Sequence, residues 1–327
     1  MTFRNRPKLG QNFLISPAAQ AAVADALGDV SHRTVVEIGP GRGAITHILA
    51  RRAQRLIAIE LDSALAAHLR ADFASQPNVT ILNQNILTTD LAALATELES
   101  HAFPGVNMDV EGPTLPAPAQ AVPDATSGAE RLPPHGGPFS NRVFGSAGLL
   151  VVGNLPYYIT SDILLYLFAA HRVLDRAVVM IQREVADRVA AQPGSRDYGL
   201  LSVTAQLYAR VEKLLTLPPE AFAPPPQVHS TVLRLTMQPR FEELGLAATP
   251  NQSDSAESFI QFLRICFAQK RKTLANNLRA ARYDSAAIAA ALAACSIQPQ
   301  SRTEQLSLAT LASLYRQLAN SRTHRAS

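Results

Sequence analysis

The residues best suited to chemistry are Gly153-Asn154-Leu155-Pro156-Tyr157-Tyr158, which follow the apolar run 149–152. The run reads as a buried strand, ended by a glycine, an asparagine and a proline. An uncharged amide and an aromatic ring thus stand at a strand end that a proline stiffens. Two readings fit. The stretch can be an ordinary strand stop with core tyrosines. It can also grip an exocyclic amino group on a nucleobase, a poor nucleophile because its lone pair is delocalised into the ring. An amide oxygen and a backbone carbonyl would each accept one N–H and aim the lone pair at an electrophile. That is positioning and electrostatic help without a strong base. Tyr157 could then stack on the base, once the base has left its helix or come from a loop.

A second constellation is Gly39-Pro40-Gly41-Arg42-Gly43, between a strand at 34–38 and a helix expected over 44–52. The next strand, 56–59, ends at Glu60. In such a βαβ unit the glycines let backbone approach a ligand and the acid accepts ribose hydroxyls. Three glycines in five residues are costly unless the backbone needs them. Gly39, Gly41 and Ala44 also satisfy the dinucleotide pattern, so an NAD-dependent oxidoreductase stays open here. S-adenosylmethionine, a sulfonium with a ribose and no phosphate, fits a loop that lacks the G-x-x-x-x-G-K-[ST] signature. No H-x-x-x-H spacing or Cys–His cluster offers a metal site, and no G-x-S-x-G elbow supports a hydrolase.

These residues need a framework, and the chain supplies an alternating one. A basic, irregular opening (Arg6 to Leu14) suits a flap over a ligand, and Ser16-Pro17 starts a helix. Helix 63–73 and strand 79–82 follow. From about 99 to 146 the periodicity is lost, and eight of the 22 prolines fall between Pro104 and Pro138. That stretch reads as an inserted, disordered loop. After it come helix 163–170, strand 177–181, helix 184–191, an apolar stretch 200–208, strand 211–217, a proline loop 222–228 and an alternating strand 230–237. The last strands predict an antiparallel edge on a mostly parallel sheet. A polar linker is expected over 239–255, then a helical pattern over 257–280 carrying Lys270-Arg271-Lys272, then helices 285–295 and 307–318. Three adjacent cations form either a solvated face or a phosphate-backbone footprint.

Composition narrows the class. The chain has 327 residues, 47% of them apolar, enough for a large core and two domains. No apolar run approaches the ~18 residues of a membrane span, and no apolar stretch follows the basic opening as in a secretory leader. Two cysteines without ligand spacing fit a reduced, cytoplasmic setting, and a net charge of +4 permits a polyanionic partner without requiring one.

Several segments together resemble the bacterial small-subunit ribosomal RNA adenine N6,N6-dimethyltransferases of the KsgA/RsmA type. They are Leu9-Gly10-Gln11-Asn12-Phe13-Leu14, Val36-Glu37-Ile38-Gly39-Pro40-Gly41-Arg42-Gly43, Ile59-Glu60-Leu61-Asp62 and Gly153-Asn154-Leu155-Pro156-Tyr157. Gln182-Arg183-Glu184-Val185, the segment 222–230 and Phe267-Ala268-Gln269-Lys270-Arg271-Lys272-Thr273-Leu274 complete the set. The resemblance runs from about Lys8 to Leu318 apart from the insert, and the joint order is far more specific than any one motif.

The resemblance implies an α/β fold: a class I S-adenosylmethionine-dependent methyltransferase, Rossmann-like, with a mostly parallel seven-stranded sheet and a small C-terminal helical domain. Residues 1–239 would be the methyltransferase domain, with the insert at about 100–146, and residues 255–320 an RNA-binding domain. The implied reaction transfers four methyls from S-adenosylmethionine to two adjacent adenosines in the 3′-terminal hairpin loop of 16S rRNA, within a pre-30S particle. A monomer, acting without metal or membrane, is expected. By position, Asn12, Leu14, Gly39, Gly41, Glu60, Asn85 and Asn154 would bind the cofactor. Asn154, Leu155, Pro156 and Tyr157 would hold the target adenine, with Tyr157 and Phe222 stacked near it. Lys270, Arg271 and Lys272 would contact rRNA. Asn85 stands where the family usually has Asp, which implies weaker cofactor binding. Two other readings stay open: a 23S rRNA adenine N6-methyltransferase of the antibiotic-resistance type, and a non-catalytic ribosome assembly factor on the same fold.

Overall fold

The computed structural model describes residues 12–100, 148–246 and 255–323. The opening before Asn12 and the proline-rich insert, apart from its first two residues, lie outside them. The first half runs β1 (Phe13–Leu14), α1 (Pro17–Asp25), β2 (Thr34–Ile38), α2 (Thr46–Leu49), β3 (Arg55–Glu60), α3 (Ser63–Asp72), β4 (Val79–Asn83) and α4 (Leu91–Ser100). The second continues with β5 (Leu149–Asn154), α5 (Thr160–Ala169), β6 (Leu174–Gln182), α6 (Arg183–Ala190), α7 (Leu200–Tyr208), β7 (Ala209–Leu217), β8 (Phe222–Ala223) and β9 (Ser230–Met237). Helices α8 (Ser255–Cys266), α9 (Leu274–Ala280), α10 (Ser285–Ala294) and α11 (Leu308–Thr323) follow.

Seven strands form one sheet in the order β4-β3-β2-β5-β6-β9-β7. The pairings from β4 to β6 are parallel, and β9 pairs antiparallel with both β6 and β7. The parallel strands are near-continuous apolar runs because helices cover both faces. Alternate residues serve two cores: Val35, Leu56, Leu150, Val152 and Val178 face one layer, and Val36, Ile57, Val151 and Val179 the other. The chain leaves β2 toward β3 and β4, then returns to place β5 on the opposite side of β2. In open α/β sheets that reversal opens a crevice at the carboxyl ends of the strands. The glycine loop after β2 and Asn154 at the end of β5 both fall there. Local chemistry fixes the adjoining helices: the Ser16 hydroxyl accepts from Ala19 N–H ahead of Pro17, and the Asp62 carboxylate accepts from Ala64 and Leu65 N–H.

The structure departs from the sequence reading in three places. Phe13–Leu14 is not an irregular flap but a short strand paired antiparallel with β8, Phe13 opposite Ala223 and Leu14 opposite Phe222. The described part of the expected linker, residues 239–246, packs rather than spans: Leu244 and Leu246 are buried, and the Phe241 ring meets Tyr208 edge-on, while residues 247–254 lie outside the described residues. The helix expected over 257–280 is two helices. Thr273 caps α9 by accepting from Asn276 N–H, and the Asn277 amide donates to the Cys266 carbonyl at 2.7 Å, which bends the chain between them. Lys270, Arg271 and Lys272 therefore sit in an exposed inter-helix turn rather than on a helix face. Helices α8–α11 share a third core with Val203 and Leu207 of α7. Among the described residues no helix is long and apolar enough to cross a membrane, and no group of three or more His, Cys, Asp or Glu could hold a metal ion.

Candidate active site

One cavity of about 200 Å³ opens at the carboxyl ends of β2, β3 and β5. Its geometry starts from the register of β2 and β5, which pairs Ile38 with Gly153. A β-carbon on Gly153 would lie 2.6 Å from the Ile38 carbonyl oxygen, so only glycine lets the two strand ends run this close. The glycine loop and Asn154 therefore reach the cavity side by side.

Glu60 ends β3 and is almost fully buried. Its carboxylate accepts from Gly41 N–H at 3.0 Å and Asp62 N–H at 2.9 Å. Burial raises its pKa, and those backbone donors oppose the rise. Gly41 has φ +59°, and a β-carbon there would meet the Phe13 ring at 2.9 Å. The Arg42 guanidinium lies over the other part of this assembly, 4.8 Å from the centre of the Phe13 ring. The pairing of β1 with β8 thus seats Phe13 on the glycine loop and fixes one wall of the cavity.

The Asn154 side chain is oriented by a hydrogen bond: its Nδ2 donates to the Asn12 carbonyl at 2.8 Å. With the NH2 directed there, Oδ1 is the face of the amide left to act as acceptor. Leu155 N–H donates to the Met180 carbonyl at 3.0 Å, locking the chain as it leaves β5. The Pro156 carbonyl accepts from the Thr160 hydroxyl at 2.9 Å and from Ile159 N–H at 3.2 Å. The Tyr157 hydroxyl shares a 2.9 Å hydrogen bond with the Ser230 hydroxyl, which fixes the ring at the cavity wall. Across the cavity, Asn85 Oδ1 accepts from Leu87 N–H at 3.0 Å and caps the turn after β4.

Sequence reasoning gave no role to Glu37, which also lines the cavity. Among the described residues its Oε2 has no hydrogen-bond partner. Burial pushes the carboxyl up to about 7, and the Glu60 carboxylate adds to it. The only trace of this in the sequence is a lone acid inside the apolar strand 34–38. A carboxyl raised from 4.5 to about 7 in the fold contributes stability that is complete below pH 4.5 and lost as pH rises through 7. Removing the charge should recover it. Glu37→Gln is expected to melt several degrees above the wild type at pH 8 without cofactor, the gap closing toward pH 5, as thermal unfolding across that range would show.

Asn12, Leu14, Gly39, Gly41 and Glu60 all line this cavity, as do Asn85, Asn154, Leu155, Pro156 and Tyr157. Phe222 does not. Its side chain turns into the core, where Phe222 is 2% exposed, and strand alternation gives the cavity wall to Ala223 instead. Lys270, Arg271 and Lys272 lie outside the cavity, all exposed, and Lys270 Nζ donates to the Arg196 carbonyl.

The family description "Ribosomal RNA adenine dimethylase" matches residues 2–320. A protein of Acidobacterium capsulatum named ribosomal RNA small subunit methyltransferase A is 52% identical over 96% of this chain and 92% of its own length. One of the same name from Koribacter versatilis is 47% identical over 96% and 94%. Among solved structures, a dimethyladenosine transferase from Plasmodium falciparum superposes with a TM-score of 0.64 at 20% identity, covering 94% of this chain and 98% of that one. The 23S rRNA methyltransferase ErmE does so with a TM-score of 0.59 at 21% identity over 94% and 100%. These two support the class I methyltransferase fold, and the match along the sequence does the rest: the chain belongs to the ribosomal RNA adenine dimethylase family.

Proposed function

We propose that the protein uses S-adenosylmethionine to dimethylate N6 of two adjacent adenosines in the 3′-terminal hairpin loop of 16S rRNA, on a pre-30S particle. The observation that carries this reading is the anchored amide of Asn154, a residue that lines the cavity beside the glycine loop.

The cavity's donor set suits this cofactor better than a dinucleotide. Among the described residues two carboxyl groups line it, Glu60 and the partly protonated Glu37, against one guanidinium, which is engaged with Phe13. Such a wall disfavours a pyrophosphate and favours a cation. Glu60 would hold the ribose, the glycine loop and Asn12 the amino-acid end, and Asn85 the adenine. When bound, S-adenosylmethionine supplies an electrophilic methyl group on its sulfonium. The protein's share is to hold the acceptor. Asn154 Oδ1 takes one N6 hydrogen, and because the Pro156 carbonyl already has two donors, the second falls to the Leu155 carbonyl. Tyr157, fixed by Ser230, stacks on the base. The proton released from N6 goes to water, so no side-chain base is needed. Lys270, Arg271 and Lys272, on the helical portion at 255–320, meet the phosphate backbone away from the cavity, and the protein acts as a monomer without a metal.

Asn85 tunes cofactor affinity. Its Oδ1 already accepts from Leu87 N–H, leaving an uncharged acceptor with one lone pair for an adenine amino group. Asn85→Asp is expected to lower the Kd for S-adenosylmethionine about 5- to 10-fold by calorimetry, since an ionised acceptor makes the stronger bond. No gain in the Asp variant would remove this role.

Two measurements test the proposal as a whole. S-adenosylmethionine should raise the melting temperature and NAD should not. Labelled methyl should appear on unmethylated small subunits and not on large subunits. Label confined to large subunits would turn the reading toward the antibiotic-resistance type, and tight particle binding without transfer would turn it toward an assembly factor.

A further inference from the structure

Among the described residues four large apolar side chains stand out into solvent: Ile15, Leu61, Tyr158 and Val228. Scattered singly they would need no explanation, but they share one edge of the molecule. Ile15, Leu61 and Tyr158 line the cavity mouth, and Val228 precedes by two residues the serine that holds Tyr157. Tyr158 is the most exposed, at 62%, so its ring adds little to the core. The two tyrosines thus differ: Tyr157 is tied to Ser230, whereas Tyr158 presents a face to solvent at the rim.

We propose that Tyr158 forms a second nucleobase subsite, stacking on the unpaired base next to the one held in the cavity; this rests on the function proposed above. Extruding one base from a stack strips its neighbour of a stacking partner, and a bare aromatic face is the surface an exposed tyrosine binds well. The subsite is continuous with the cavity, so adjacent nucleotides reach both without a break in the chain. The same edge carries a cation: Arg183 is exposed and held by the bond from its backbone N–H to the His229 carbonyl, a complement to the phosphate between the two bases. That charge favours a nucleic acid over an apolar protein segment. With adjacent adenosines as substrate, each takes the cavity in turn while the other rests on the ring.

The test is steady-state methyl transfer to unmethylated small subunits. Tyr158→Ala should raise the KM for the particle about 10-fold, which is about 1.4 kcal/mol and within the range for one base stacked on an aromatic side chain. Its kcat should stay within about twofold and its Kd for S-adenosylmethionine should not move. Tyr158→Phe, which keeps the ring, should match the wild type. A KM for Tyr158→Ala within about twofold of wild type overturns the subsite, as does a Tyr158→Phe variant equally impaired, because the hydroxyl would then matter and not the ring. A wild type that labels no small subunits overturns the functional reading and the subsite with it, an outcome distinct from active wild type with an indifferent Tyr158.

Discussion

Replacing Asn154 by alanine should lower the rate of methyl transfer to small subunits by about 100- to 1000-fold, the effect of losing one oriented polar group at a reacting centre. The size of the effect comes from how the amide is held. Nδ2 donates to the Asn12 carbonyl, which holds the amide with its oxygen on the opposite side. Alanine removes the acceptor. Asn154→Asp should fail nearly as badly, although it restores two oxygens, because a carboxylate has no hydrogen for the Asn12 carbonyl and would face it oxygen to oxygen. Single-turnover transfer with saturating S-adenosylmethionine separates this loss from any change in cofactor binding. An Asp variant as active as the wild type would mean that Asn154 does not work through its anchored amide.

The second large effect is expected one residue earlier. Gly153→Ala brings a methyl group to 2.6 Å from the Ile38 carbonyl and 3.0 Å from its β-carbon. The obstacle is backbone of the neighbouring strand, which cannot rotate away as a side chain would. Either β2 and β5 separate at their ends or the chain leaves β5 along another path. Denaturant unfolding should register about 1–3 kcal/mol of lost stability, the usual cost of overpacking. Activity should fall further than stability implies, by about 100-fold, because a shift of about 1 Å in Asn154 misplaces the acceptor amine. Near-wild-type transfer at a temperature where the variant is folded would show that the cavity tolerates a looser strand end.

Much of this was legible in the residues themselves. The parallel strands announced themselves as apolar runs closed by Gly39 and Gly153, and Glu60 as the acid at the end of the second βαβ strand. Order along the chain then placed Asn154 beside the glycine loop, because a sheet that reverses direction at β2 brings those two strand ends together. What stayed hidden depends on contacts between segments far apart in sequence. Phe13 and Leu14 become a strand only because Phe222 and Ala223, more than two hundred residues away, supply the partner. That pairing, invisible in local pattern, also decides that Phe222 faces the core and Ala223 the cavity. The basic run Lys270-Arg271-Lys272 looked helical by the spacing of its apolar neighbours, but the Asn277 side chain ties the Cys266 carbonyl and closes a turn instead. Glu37 sat within a quoted motif, yet its importance comes from burial beside Glu60, which sequence does not reveal.

The reaction product discriminates most sharply. Small subunits lacking the modification, incubated with the protein and S-adenosylmethionine, would have their RNA digested and its nucleosides identified and mapped by mass spectrometry. The account predicts two adjacent N6,N6-dimethyladenosines in the 3′-terminal hairpin loop, four methyl groups per particle, and none with Asn154→Ala. Methyl groups on a ring nitrogen, on a ribose, or only on large-subunit RNA would contradict it.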